Sequence, residues 1–149
     1  MPSINLVSAE MGIALSAHGW TAPTTFVWNT APRLRAESGI PLSPYVIEAS
    51  HYQGDMQGIY PAPSLGELVE ELPRRIWKGN DIYFLVIHAK INGWVVYYHL
   101  PENPGVHLHV CAAINSEDAA AAMWIWIQEY QKEEKLAHAA QAKKCFKPM

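Results

Sequence analysis

The chain has little of what most chemistries require. Its 149 residues hold two cysteines, Cys111 and Cys145, and no CxxC pair. A disulfide framework and a thiolate zinc site are therefore excluded, and this cysteine usage matches a reducing compartment. Charged side chains make up 17% of the residues, and 11 basic groups against 14 acidic ones leave a formal net charge of -3. Proteins built to neutralise nucleic-acid phosphates carry a basic patch or stripe instead. The small basic groups here, Arg33, Arg35, Arg74, Arg75 and Lys78, then Lys143, Lys144 and Lys147, read as solvated surface and a basic tail. No apolar run approaches the roughly 18 residues of a membrane span. The N-terminus lacks the basic-then-apolar pattern of a secretory signal. The expectation is a cytoplasmic protein with neither nucleic acid nor membrane as partner.

Catalytic motifs are missing too. The sequence contains no Walker A loop, GxGxxG, HExxH or GxSxG. No catalytic residue is assigned, and a non-enzymatic protein is expected.

What is present is enough for a core. Half of the residues are hydrophobic, and a chain of this length buries roughly two thirds of its unfolded surface on folding. The reading is one domain over residues 1–140 and a short basic tail over 141–149. A short helix is predicted over 6–17, with Ser8 as N-cap and Gly19 near its end; Gly12 weakens it by about 1 kcal/mol relative to Ala. Residues 19–64 are rich in proline and glycine, which punctuate against long elements. Two strands are predicted inside them, 24–28 and 44–48. The loop 51–60 has glycines, tyrosines and amides, and reads either as a binding loop or as a bulged hairpin with its tyrosines inward.

Ser64-Leu65-Gly66-Glu67 has capping-box spacing, and Leu65, Leu68, Val69 and Leu72 follow at helical intervals before Pro73. The spacing predicts a helix over 65–72. Residues 82–89 and 94–100 are strands by composition, and Asn92-Gly93 between them is a strong hairpin signal. A type I′ turn there sets Ile91 opposite Trp94, Ala89 opposite Val96, His88 opposite Tyr97, and Val86 opposite His99. A third strand is predicted over 106–112. The last helix is predicted from Asn115 or Ser116 toward Ala140, with Glu117 and Asp118 at its positive end.

The fold class is thus α+β: a three-stranded or larger antiparallel meander, with the C-terminal helix and helix 65–72 on one face. Side chains alternate across strands. One face collects Tyr83, Leu85, Ile87, Val96 and Tyr98, with Leu108 and Val110, and is the core side. The other collects Phe84, Val86, His88, Lys90, Val95, Tyr97, His99, His107, His109 and Cys111. Four of the seven histidines are expected on that second face.

Two readings compete for it. The first is a protein-interaction surface, centred on Val95, Tyr97 and His88, that serves a protein partner or self-association. The count of six tryptophans is high; Trp94, Trp124 and Trp126 fall on core or helix faces, and Trp20, Trp28 and Trp77, in or beside irregular segments, are the candidates for an exposed apolar patch. No cofactor is expected under this reading. The alternative is a zinc site, in which His107-x-His109 supplies two imidazoles about 6.5–7 Å apart along one strand and His99 a third. A zinc-bound water would then serve a hydrolase or lyase. Glu102 is the nearest carboxylate in sequence to orient a ligand, and it lies in a turn. A Cys111–His109 nucleophile pair lacks a third group to orient it.

Ser64-Leu65-Gly66-Glu67-Leu68-Val69-Glu70-Glu71-Leu72-Pro73 and Met123-Trp124-Ile125-Trp126-Ile127 resemble segments of a type of small protein encoded in prophages and mobile elements. The resemblance spans about residues 63–130. It implies a small cytoplasmic protein of phage-like origin and assigns no activity and no site residues.

Overall fold

Ser8 starts the first helix: its hydroxyl accepts the Met11 N–H at 3.2 Å, and α1 runs over Ala9–Ala17. The chain reverses at Gly19, at φ 90, a conformation glycine adopts without steric cost. The computed structural model describes residues 5–30, 44–52 and 56–145. Arg33, Arg35, Gln53, Gly54, Asp55 and Lys147 lie outside them. The two predicted early strands form, as β1 (Phe26–Asn29) and β2 (Tyr45–Glu48). β3 (Ile59–Pro61) joins them in an antiparallel sheet of order β2-β1-β3.

α2 (Leu65–Glu71) has both halves of the capping box, and Glu67 also accepts the Thr25 N–H at 2.9 Å, which ties the helix to the start of β1. Beyond Pro73 comes a four-stranded antiparallel sheet of order β4-β5-β6-β7, built from β4 (Arg75–Lys78), β5 (Asp81–Lys90), β6 (Gly93–Leu100) and β7 (Asn103–Ala113). α3 (Ser116–Cys145) closes the chain. Its first turn is capped by the Asn115 side chain, which accepts the Asp118 N–H at 2.7 Å. The Asp118 carboxylate in turn accepts the Ser8 N–H at 2.8 Å and links both ends of the fold. No described helix is long and apolar enough to cross a membrane.

The core lies between the four-stranded sheet and α3. Tyr83, Val96, Tyr98 and Cys111 from the sheet meet Ala119, Ala120, Met123, Trp124 and Ile127, with Leu68 and Leu72 of α2 and Leu15 and Trp20 of the α1 segment completing the cluster. Trp20 and Trp124 meet edge-to-face at 5.0 Å, the orientation that ring quadrupoles favour.

α1 packs on β3 so closely that a Cβ at Gly12 would stand 2.5 Å from the Pro61 carbonyl oxygen. Close approach therefore explains a glycine that costs about 1 kcal/mol of helix propensity. Gly12→Ala is expected to lower the melting temperature, although alanine favours helices. A rise in melting temperature would contradict this packing.

Two features of the meander depart from the sequence-based expectation. The first is the β5–β6 turn. Lys90 pairs with Gly93 and Ala89 with Trp94, a register shifted by two residues from that of an Asn-Gly type I′ turn. A type I′ turn needs positive φ at both central residues, and Asn92 has none; the positive φ, 146, falls on Gly93 alone. A two-residue shift preserves the faces. The second departure does not. Between Tyr97 and His99 the β6–β7 register slips by one, so that His99 faces His107 while Tyr97 faces Val110 and Val96 faces Cys111. One extra residue in β7 inverts the alternation beyond it.

Candidate functional site

The slip divides the expected histidine face. His99 and His107 remain direct partners on the side of the sheet away from α3. His109 goes to the helix side, where its ring lies flat on Trp126, at 4.5 Å with an interplanar angle of 4°. Trp126 stacks in turn on Tyr130 at 4.9 Å, so three rings run from β7 onto α3. Cys111 also turns inward, and Val110, expected in the core, turns outward and is 48% exposed. The placement of His99, His107 and His109 on one face is thereby corrected. Among the described residues no three His, Cys, Asp or Glu side chains are grouped to hold a metal ion. Glu102 is exposed in its turn.

The inward groups follow their surroundings. Burial pushes the Cys111 thiol up to about 11, so it stays protonated at neutral pH and is a poor nucleophile. Burial raises the Tyr98 phenol further, and its hydroxyl donates to the Pro73 carbonyl at 2.7 Å.

Burial also lowers the pKa of His109 from its usual 6.5. The unfolded chain then takes up this proton at a higher pH than the folded chain. Stability from the neutral ring is complete above about pH 6.5 and declines as pH falls toward the folded value. Replacing His109 with Phe keeps a ring on Trp126 and removes the proton. The variant's melting temperature should fall less than the wild type's between pH 7.5 and 5; equal falls in thermal melts would contradict the assignment.

The outer face is built from the alternate residues of four strands. Arg75 and Phe84 are partners, as are Trp77 and Ile82, Val86 and Tyr97, His88 and Val95, and Val95 and Ala112. Val95, Tyr97 and His88 thus share this face. Val95, in the middle strand, is 6% exposed, whereas Trp77 is 63% and Phe84 40% exposed. The helix that packs on this sheet, α3, lies on the opposite side. Of the six tryptophans Trp77 is the exposed one; Trp20 and Trp28 use their indole N–H groups on the Ala22 and Val7 carbonyls. At the hairpin end Ile91 and Ile114 are almost fully exposed and add apolar surface to the margin.

Charge on this face has one sign. Arg75 and Lys90 project from it beside His88, His99 and His107, and the four strands contain a single carboxylate, Asp81, which pairs with Lys78 at the other parity. A chain of net charge -3 thus presents a face without a carboxylate.

Comparison of the chain with protein-family models, with curated proteins and with solved structures finds no match. The site therefore rests on its own geometry. β4 is the part of it that reasoning from the sequence missed; Trp77, a patch candidate expected in an irregular segment, lies on that strand. The signal was Gly79-Asn80: Gly79 has φ 63, and a positive φ at the first of two turn residues defines a type II′ hairpin.

Proposed function

We propose that this protein is a non-enzymatic docking module, of the small kind that mobile elements encode. In this reading the outer face of the β4–β7 sheet receives a protein partner with an apolar centre and carboxylates at its margin. The observation that carries the reading is the exposure of Trp77, Phe84 and Val110 on one sheet face whose only charges are basic. Exposed apolar patches with a polar rim mark interaction surfaces on soluble proteins. Tryptophan, tyrosine and arginine are the side chains that dominate binding at interface centres, and Trp77, Tyr97 and Arg75 lie here together. The absence of outward carboxylates favours an acidic partner surface and disfavours a second copy of the same face, because like charges would meet.

Size sets the class of interaction. Strands of 4, 10, 8 and 11 residues give a footprint of about 500 Å² at roughly 3.3 Å per residue and 4.8 Å between strands. Two such surfaces bury about 1,000 Å², the lower end of specific interfaces and the range of transient ones.

The test is a pair of charged variants at exposed positions. Trp77→Glu with Val110→Glu should shift the melting temperature by no more than about 2 °C. In extracts of the producing cell, native electrophoresis should place the wild type in a larger complex and the same pair of variants outside it. Trp77→Lys with Val110→Lys, which spares the face's sign, should be milder. An unchanged complex in the glutamate variant would overturn the reading.

A further inference from the structure

We propose that His99 and His107 form a two-imidazole binding site for a divalent transition-metal ion on the outer face of the sheet. They are direct partners across β6 and β7, between two register shifts at Tyr97/His99 and His99/Leu100, and directly opposed side chains of a regular antiparallel ladder have Cβ atoms about 4.5–5.5 Å apart. Two imidazoles at that spacing reach one ion at the usual metal–nitrogen distance of about 2.0–2.1 Å. Neither ring makes a hydrogen bond or ion pair to another described residue, in contrast to His18, with the Ala14 carbonyl and Glu129, and His51, with Glu48. Both rings are therefore free to turn a nitrogen outward.

Tyr97 holds the pair in place. Its ring lies 4.6 Å from that of His107 and meets His99 edge-on at 6.3 Å. Rings already restricted by packing lose less freedom when an ion binds. The bulge that takes His109 away makes this site a pair, and the remaining coordination positions face outward to water. Imidazole donors suit copper, nickel and zinc, whereas magnesium and calcium take oxygen ligands. With no cage to impose geometry, Cu²⁺ should bind most tightly, in the intrinsic order of divalent ions. The inference stands whether or not a partner docks on the face.

The test is calorimetric titration of the tag-free full chain with copper, zinc and magnesium salts at pH 7.5 in a non-coordinating buffer. The expected result is one Cu²⁺ per chain, weaker Zn²⁺ and no Mg²⁺. His107→Ala and His99→Ala should each weaken Cu²⁺ at least tenfold, while His88→Ala and His109→Phe stay within twofold of wild type. Circular dichroism of each variant should match the wild type, and His107→Gln is the shape-conserving replacement. Absence of saturable Cu²⁺ binding to the wild type would overturn the inference. Losses in His88→Ala or His109→Phe as large as in His107→Ala would also overturn it.

Discussion

Replacing Tyr98 with alanine is expected to remove about 3–5 kcal/mol of stability, the usual cost of deleting a buried aromatic ring. Tyr98 is 0% exposed, projects from the middle of β6 toward α3, and reaches past the core to the Pro73 carbonyl at 2.7 Å. The ring packs the sheet against the helices, and the hydroxyl fixes the segment that links α2 to β4. Domains of this kind are stable by about 5–15 kcal/mol, so one substitution takes roughly a fifth or more of the total. Tyr98→Phe separates the two roles. It keeps the ring and removes the hydrogen bond, at about 1 kcal/mol. Urea titrations of the two variants should show this ratio. Equal losses would mean that the ring contributes little and would contradict the packing described here.

Gly93→Ala should cost about 3 kcal/mol, which corresponds to a fall of roughly 6–12 °C in melting temperature for a domain of this size. Two independent effects act together. The residue sits at φ 146, which side chains beyond hydrogen rarely adopt, at a cost of about 1–3 kcal/mol. A Cβ there would also stand 2.5 Å from the Ala113 carbonyl oxygen and 3.4 Å from the Ile114 Cα. Those atoms are backbone at the end of β7, so relief requires the hairpin and β7 to separate. Asn92→Ala removes the other half of the Asn-Gly pair and should cost far less, since Asn92 does not hold positive φ. Comparable losses at the two positions in thermal melts would restore the type I′ turn.

The same residues show how far the sequence can be read. α2 was legible because its capping box and leucine spacing are local signals, and the starts of α1 and α3 were legible from Ser8, Asn115 and Ser116. The core side of β5 and β6 was legible although the predicted register was two residues off, because alternation is indifferent to a shift of two. The β7 bulge has no such protection. It is a property of how two strands pair, and neither Leu108 nor His109 carries a residue-type mark for it. One inserted position moved His109 and Cys111 inward and Val110 outward, and with them the identity of the site. β4 was legible in principle from Gly79-Asn80, yet its four residues, two of them basic, show no alternation strong enough to stand out. That omission left Trp77 in an irregular segment and not on the outer face, where it is the most exposed aromatic side chain.

The most direct test of that face is photo-crosslinking from within it. Phe84, outward and 40% exposed, is replaced with p-benzoylphenylalanine, and Glu70, exposed on α2, receives the same substitution as a control. Irradiation in the producing cell should yield a discrete protein adduct from position 84 and none from position 70. No adduct at position 84, or the same adducts from both positions, would contradict the assignment of the β4–β7 outer face as the docking surface.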